Sequence, residues 1–501
     1  MKLGIDLGTT RTVVAAALDG RHPIASFDAG GAFREWIPGV AIERGGALSF
    51  GWDAVAELSS AEGAVRSIKR TVARVAPDDP IDALPSRPSA IELLTGFVRH
   101  LRAMIVERSS LDVGDEALEV TLAVPANASS RQRWVTVEAF RRAGFDVERV
   151  LNEPTAAGIE YAHRHLGPEK KRSPKRYLVV YDLGGGTFDA SAISLEARRF
   201  ELLSTEGLVE VGGDDLDEAI LALALERAGV DAAARTSAER VALLDRARAA
   251  KEAMTPQTRN VLVDLEGEPV VLEASAVLER CEPIVEQTLA KLSELFARLP
   301  AHGIDPESPR ELGAVYVVGG AAAFVGALRA LRARCGRKMQ LAPQPHASTA
   351  VGLAIAADPA AGIYVSEAVT RHFGVWREAA AGREKVFDPI FDKDARAIGG
   401  ELVVRRRYRP RHTVGHLRFL ECSTLDPDGG PAGDLMPCRE ILFPYDASLV
   451  GERDLSGAVR SDRDADTIEE TYRYAPSGAI TVRIENLTRG YGETYELGRL
   501  G

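Results

Sequence analysis

Up to Asp358 the chain alternates short β-branched or aromatic runs with stretches whose apolar residues recur at helical spacing. KLGID and TVVAAA near the start, EVTLAV before Pro125, RYLVVYD before a glycine cluster and ELGAVYVV from 311 all read as strands. From about Ser130, Val135, Val137, Phe140 and Ala143 fall among polar neighbours, the pattern of an amphipathic helix. A short strand at 147–151 and a helix from about Thr155 follow. Residues 214–300 are rich in Ala, Leu, Arg and Glu at helical spacing, with one hairpin-like insert at 259–273. PQPHASTAVGLAIAAD (343–358) reads as a further helix of small residues. Beyond Asp358 the pattern changes to strict alternation, as in ELVVRRRYR, HLRFLECS and GAITVRIEN, broken by DPDGGPAGD and APSGA. The expectation is an α/β domain over 1–358, a linker at 359–368 (PAAGIYVSEA) and an all-β module over 369–501.

Two turns carry the chemistry. In YDLGGGTFDAS (181–191), three glycines follow a strand-forming run, where glycine is costly unless something must approach the backbone closely. Gly184, Gly185 and Gly186 therefore predict a tight turn whose bare amides face a ligand, with Asp182 and Thr187 beside a metal's water shell or a phosphate. Taken alone, the stretch also fits an ordinary glycine-rich hairpin. MKLGIDLGTTRTVVAAA repeats the grammar: a strand reaching Asp6, then Gly8, Thr9 and Thr10, then a second strand. The internal repeat predicts two similar half-domains facing each other, both turns closing on one polyphosphate and both aspartates aimed at one Mg²⁺, a hard ion that keeps its waters. Glu153, in NEPTAAG, stands where it either assists a helix N-terminus or adds a third carboxylate to that site. The Gly319-Gly320 turn after VYVV either brings bare backbone to a ligand or packs a helix on the sheet. No GxxxxGK[ST] and no GxGxxG after a strand occurs, which disfavours P-loop and dinucleotide folds.

Composition narrows the class further. The chain has 501 residues, 45% hydrophobic and 27% charged, as in an ordinary soluble protein. A net charge of -11 argues against a general nucleic-acid binder. Cys281, Cys335, Cys422 and Cys438 are scattered, which suggests neither a zinc site nor a disulfide scaffold. With a strand expected from Lys2 and no membrane-length apolar run, a cytoplasmic protein without a signal peptide or membrane association is the expectation.

In this order the motifs resemble the DnaK-type heat shock protein 70 chaperones. GIDLGTT (4–10) and VYDLGGGTFD (180–189) are similar to the family's two phosphate loops, and VPANASSRQR…AGFDVERVLNEPTAAG to its connecting segment. VGGDDLD (211–217) resembles the turn at the ribose side, and VYVVGG (315–320) the adenosine motif. The likeness spans nearly all of 1–358. APSGAITVRIENLTRGYGETYEL carries a fainter one to the β-sandwich. The resemblance implies a duplicated actin-like ATPase domain of ribonuclease H-like fold, followed by a β-sandwich that grips extended or unfolded peptides. It implies ATP/ADP and Mg²⁺ as cofactors, with a J-domain co-chaperone and a nucleotide exchange factor as partners. Carried across by motif, Asp6, Asp182 and Glu153 would hold Mg²⁺ through water, and Thr9, Thr10, Gly184, Gly185, Gly186 and Thr187 would cradle phosphates. Lys69, in SIKRTV, would reach the γ-phosphate and the attacking water, in keeping with phosphoryl transfer as mainly positioning and charge neutralisation. Gly8, Gly212, Gly213, Lys251, Thr255, Gly319 and Gly320 complete the nucleotide contacts, and Pro125 with Arg133 would relay the nucleotide state.

The departures set further expectations. In RARAAKEAMTP, Lys251 remains, but Glu252 stands where the family has an adenine-stacking arginine, and Arg248 where it has a carboxylate. Ala323 replaces the second stacking arginine. Losing two such contacts, each worth roughly 0.5–2 kcal/mol, weakens ATP binding by about one or two orders of magnitude and relaxes adenine selectivity. The linker residues Ile363, Tyr364, Val365, Ser366 and Glu367 are less apolar than the family's leucine run, so looser coupling is expected. The chain reaches Gly501 with neither a helical lid nor an acidic tail, so fast peptide exchange is expected. RRRYRPR (405–411) and KKRSPKR (170–176) read as solvated basic segments rather than binding patches, and Trp134, Trp376 and Phe373 as core. The leading reading is an ATP-dependent, lidless chaperone-like protein. The alternatives are a nucleotide-sensing pseudo-ATPase scaffold for one dedicated partner and, more distantly, a sugar-kinase or actin-like protein.

Overall fold

The computed structural model describes residues 1–497 apart from 115, 166–174, 196–198, 231–235, 266, 307, 309, 367–368, 380–383, 394, 396–400, 453, 461–465 and 476–478. It divides into two compact units. The first comprises Met1–Ala126 and Glu138–Val365, the second Asn127–Val137 and Ser366–Gly501.

The first unit holds two sheets of matching topology. In one, the hairpin Lys2–Leu7/Arg11–Ala16 pairs in parallel with Glu119–Val124, which pairs in parallel with Asp146–Asn152. In the other, the hairpin Tyr177–Leu183/Phe188–Ser194 pairs in parallel with Leu312–Val318, which pairs in parallel with Met339–Leu341. Arg199–Leu208 extends this second sheet, and Tyr364–Ser366 lies at its edge. The internal repeat read from the sequence is thus a repeat of architecture, an α/β fold as expected.

Close packing explains the small-residue helices. A Cβ on Gly352, in the helix Ser348–Ala357, would lie 1.8 Å from the carbonyl oxygen of Ala156, in the helix Glu153–His165. A Cβ on Gly4 would lie 2.3 Å from the Ala354 nitrogen, so the same helix also presses on the first strand. Larger side chains would force these elements apart. Two boundaries differ from expectation. The helix of 343–358 starts only at Ser348, because Pro343 and Pro345 occupy the preceding turn. The helix expected from Thr155 starts at Glu153, with Pro154 in its first turn. The insert at 259–273 is a hairpin of Asn260–Leu265 and Glu268–Glu273.

The second unit contains two four-stranded antiparallel sheets. One runs Glu384–Phe391, His372–Ala379, Val414–Leu425, Pro431–Pro444; the other runs Leu402–Tyr408, Ile468–Tyr474, Ile480–Asn486, Tyr491–Glu496. Phe373, Phe391, Phe443, Ile468 and Val482 share its buried core, which makes it the expected all-β sandwich. Phe373 is buried, whereas Trp134 and Trp376 are only half-buried. Within this core lies a charged network that periodicity did not reveal. Arg377 donates to Asp388 and to the fully buried Glu470, each at 2.6 Å, and Tyr408 and Tyr472 donate to Glu470. In the arginine run, Arg406 pairs with Asp388 at 3.0 Å and Arg407 with Glu469 at 2.6 Å. Residues 170–174 of the other basic segment and 476–478 of APSGA lie outside the described residues. Among the described residues no helix is long and apolar enough to cross a membrane, and the four cysteines are unpaired.

Candidate active site

The two glycine turns meet. A Cβ on Gly185 would stand 1.7 Å from Thr10 Oγ1, and one on Gly186 would stand 2.7 Å from Thr9 Cγ2. Three successive glycines are therefore explained by the approach of the opposing turn as well as by bare amides. Gly184 closes its own turn, its N–H donating to the Thr187 carbonyl at 3.0 Å. The start of the helix Gly213–Ala228 fixes the far side: Gly213 N–H donates to the Gly184 carbonyl at 2.9 Å and Asp214 N–H to that of Gly185 at 2.6 Å. Gly212 must be bare, since its Cβ would fall 2.6 Å from the Gly185 carbonyl oxygen. Thr10 Oγ1 is buried without a hydrogen-bond partner at the cleft wall, as suits a hydroxyl awaiting an acceptor.

An open cleft lies between these turns. Asp6, Gly8, Thr9, Thr10, Lys69, Glu153, Asp182, Gly184, Gly185, Thr187, Gly213, Lys251, Gly319 and Gly320 all line it. Asp6 and Asp182 sit at equivalent places in the two hairpins, one residue before each strand's end. Lys69 Nζ donates to Glu153 Oε1 at 2.7 Å. Lys69 is carried by the short helix Ile68–Ala73, entered through Ser67 in the left-handed region at φ 63°. That conformation costs a non-glycine residue of the order of 1–3 kcal/mol, and Ser67 is pinned there by donating to Asp214.

Around Lys69 the carboxylates outnumber the cations. Burial, then the Glu153 carboxylate, pushes Asp6 up to about 7, and burial with Glu153 and Asp6 pushes Asp182 well above the usual carboxylate range. Burial alone would depress the Lys69 ammonium, but Glu153 and then Asp6 outweigh it and leave it raised. Three carboxylates share one ammonium, so a divalent cation fits the donor set. Among the described residues no trio of His, Cys, Asp or Glu is spaced for direct ligation of a metal ion.

Of the remaining candidates, Lys251 and Gly319 line the cleft, and Thr255, Pro125 and Arg133 do not. Lys251 Nζ donates to the Gly213 carbonyl at 2.8 Å and pairs with Asp217 at 2.6 Å, so its charge is already committed. Gly319, at φ +96°, lies where a Cβ would be 2.4 Å from Asp182 Oδ1, so the glycine lets that carboxylate in. Thr255 hydrogen-bonds Thr258 after the helix Ser237–Glu252 and is not in the cleft lining. Pro125 ends the strand Glu119–Val124 in the first unit. Arg133 is buried in Asn127–Val137, which belongs to the second unit. There, Ser130 N–H and hydroxyl donate to the buried Glu421, whose pKa burial raises.

Sequence reasoning missed three contributors. Arg66 pairs with Asp214, Asp217 and Asp245 at 2.9, 2.6 and 3.1 Å. Arg11 and His346 also line the cleft. Arg11 immediately follows Thr10, and that adjacency to the first turn was the available signal.

Residues 94–370, more than half the chain, match the family model described as Hsp70 protein. The chain is similar to proteins named chaperone protein HscA homolog. It is 33% identical over 384 residues to that of Chromobacterium violaceum, covering 72% of this chain and 59% of the relative. It is 34% identical over 307 residues to that of Bordetella pertussis, covering 58% and 48%. It is 32% identical over 384 residues to that of Pseudomonas putida, covering 72% and 58%. The chain thus matches about half to three-fifths of the length of these relatives. Taken with the duplicated sheets, the paired glycine turns and the β-sandwich, the match identifies this chain as a member of the Hsp70 family.

Proposed function

We propose that the first unit binds and hydrolyses ATP and that its nucleotide state controls the binding of extended or unfolded peptides by the β-sandwich, making the protein a chaperone. The observation that carries this reading is the Lys69–Glu153 pair set beside Asp6 and Asp182, between two abutting turns. The amide of Gly185 and the hydroxyls of Thr9, Thr10 and Thr187 receive the phosphates. Asp6, Asp182 and Glu153 hold hydrated Mg²⁺, which when bound neutralises phosphate charge. Lys69 offers the γ-phosphate an ammonium and positions the attacking water, while Glu153 aims that ammonium. Residues 1–358 form the ATPase domain, 359–368 the linker and 369–501 the peptide-binding domain. Pro125 and Arg133 take part in relaying the nucleotide state. A J-domain protein and an exchange factor are the partners such a cycle uses, in the cytoplasm.

The departures at Glu252 and Ala323 favour a second reading, in which nucleotide is sensed without turnover and the sandwich serves one dedicated partner. Steady-state ATPase measurements separate the two. The first reading expects phosphate release that falls about a hundredfold or more in Lys69→Ala with Mg-ATP binding retained. Absence of turnover in both proteins, with binding intact, supports the sensor.

A further inference from the structure

The two stacking guanidiniums expected on the second half of the cleft are replaced by Glu252 and Ala323, yet a guanidinium is still present there. It comes from the opposite half. Arg11, the first residue after the Thr9-Thr10 turn, reaches across and donates to Glu252 Oε1 at 2.5 Å. Its guanidinium carbon lies 4.7 Å from the centre of the Trp36 ring. One guanidinium nitrogen lies 3.9 Å from where a Cβ on Gly320 would be. A second recess, lined by Arg11, Glu252, Gly320, Ala323, Phe324 and His346, adjoins the phosphate cleft, and of these only Ala323 and Phe324 are not also in the cleft lining. Arg11 lines that recess, and Trp36 stacks on its guanidinium without being part of the lining.

We propose that Arg11 is the base-binding platform of this protein: a planar cation clamped between Trp36 and Glu252, against which the purine ring of the nucleoside triphosphate lies. The assignment rests on the nucleotide reading above. The Trp36 ring and the Glu252 carboxylate both hold the planar group, so little side-chain freedom remains to be lost when a base stacks on it. The ion pair also explains why a carboxylate occupies position 252: it fixes the platform instead of providing one. Ala323, with no long side chain, leaves the recess open for the ring.

Calorimetric titration of the full chain with Mg-ATP and with Mg-tripolyphosphate separates the base from the phosphates. In the wild type, ATP is expected to bind about tenfold more tightly than tripolyphosphate. Arg11→Ala should erase that difference, ATP falling to the affinity of tripolyphosphate in the same variant, and an unchanged thermal unfolding midpoint shows that the variant is folded. Arg11→Lys keeps the charge but not the plane, and should fail to restore the difference. An unchanged ATP preference in Arg11→Ala, full restoration by lysine, or an equal loss of tripolyphosphate binding overturns the platform while leaving the phosphate site standing. Failure of the wild type to bind either ligand overturns the nucleotide reading itself, and the platform with it.

Discussion

Gly185 and Thr10 show how far one missing Cβ organises the site. Alanine at 185 would place its Cβ 1.7 Å from Thr10 Oγ1, whereas alanine at Gly184 would meet nothing closer than the Thr187 carbonyl oxygen at 3.3 Å. Gly185→Ala is therefore expected to lower the stability of the first unit by about 1–3 kcal/mol, and Gly184→Ala by clearly less. Urea unfolding of the two variants checks the contrast; equal effects would contradict it. The same scale yields a pH dependence. The folded Asp6 carboxyl keeps its proton up to about pH 7, while the unfolded one releases it near 3.8, so the ligand-free protein loses stability as pH rises between those values. A cation must displace that proton. Mg-ATP affinity should then rise by up to about tenfold per pH unit toward pH 7 and flatten above it, with proton release visible in calorimetry in buffers of differing ionisation enthalpy. A flat profile would contradict the shared carboxylate site.

Among elements, the hairpins and glycine turns were legible because their signal is local: Asp6 and Asp182 each precede glycine and threonine within a few positions. The role of Lys69 came only from likeness, since its partner Glu153 lies 84 positions on. Arg11 with Glu252, and Arg66 with its three aspartates, are separated by still longer stretches of chain, and no spacing rule encodes such pairs. The buried Arg377–Glu470 pair was hidden for a further reason. Glu470 alternates correctly on its strand but points inward, where periodicity expects an apolar residue. Removing one partner strands the other, so Glu470→Ala should destabilise the sandwich by about 3–5 kcal/mol. Arg407→Ala removes an exposed pair to Glu469 and should cost no more than about 1 kcal/mol. Denaturant unfolding of both variants tests the difference; similar losses would show that the buried network is dispensable.

For the whole molecule, the two units carry separate cores, one around Tyr181 and Val317 and one around Phe373 and Val482. They differ in architecture, and the proposed division of labour assigns chemistry to one and binding to the other. What joins the roles is a coupling free energy, which neither core supplies alone. The direct test is the affinity of a fluorescent extended peptide for the full chain, measured with ATP and with ADP at saturating Mg²⁺. The account expects weaker binding with ATP by about fivefold or more in Lys69→Ala, where turnover is blocked and the ATP state persists. Equal affinity in the two nucleotides, with both nucleotides shown to be bound, would contradict it.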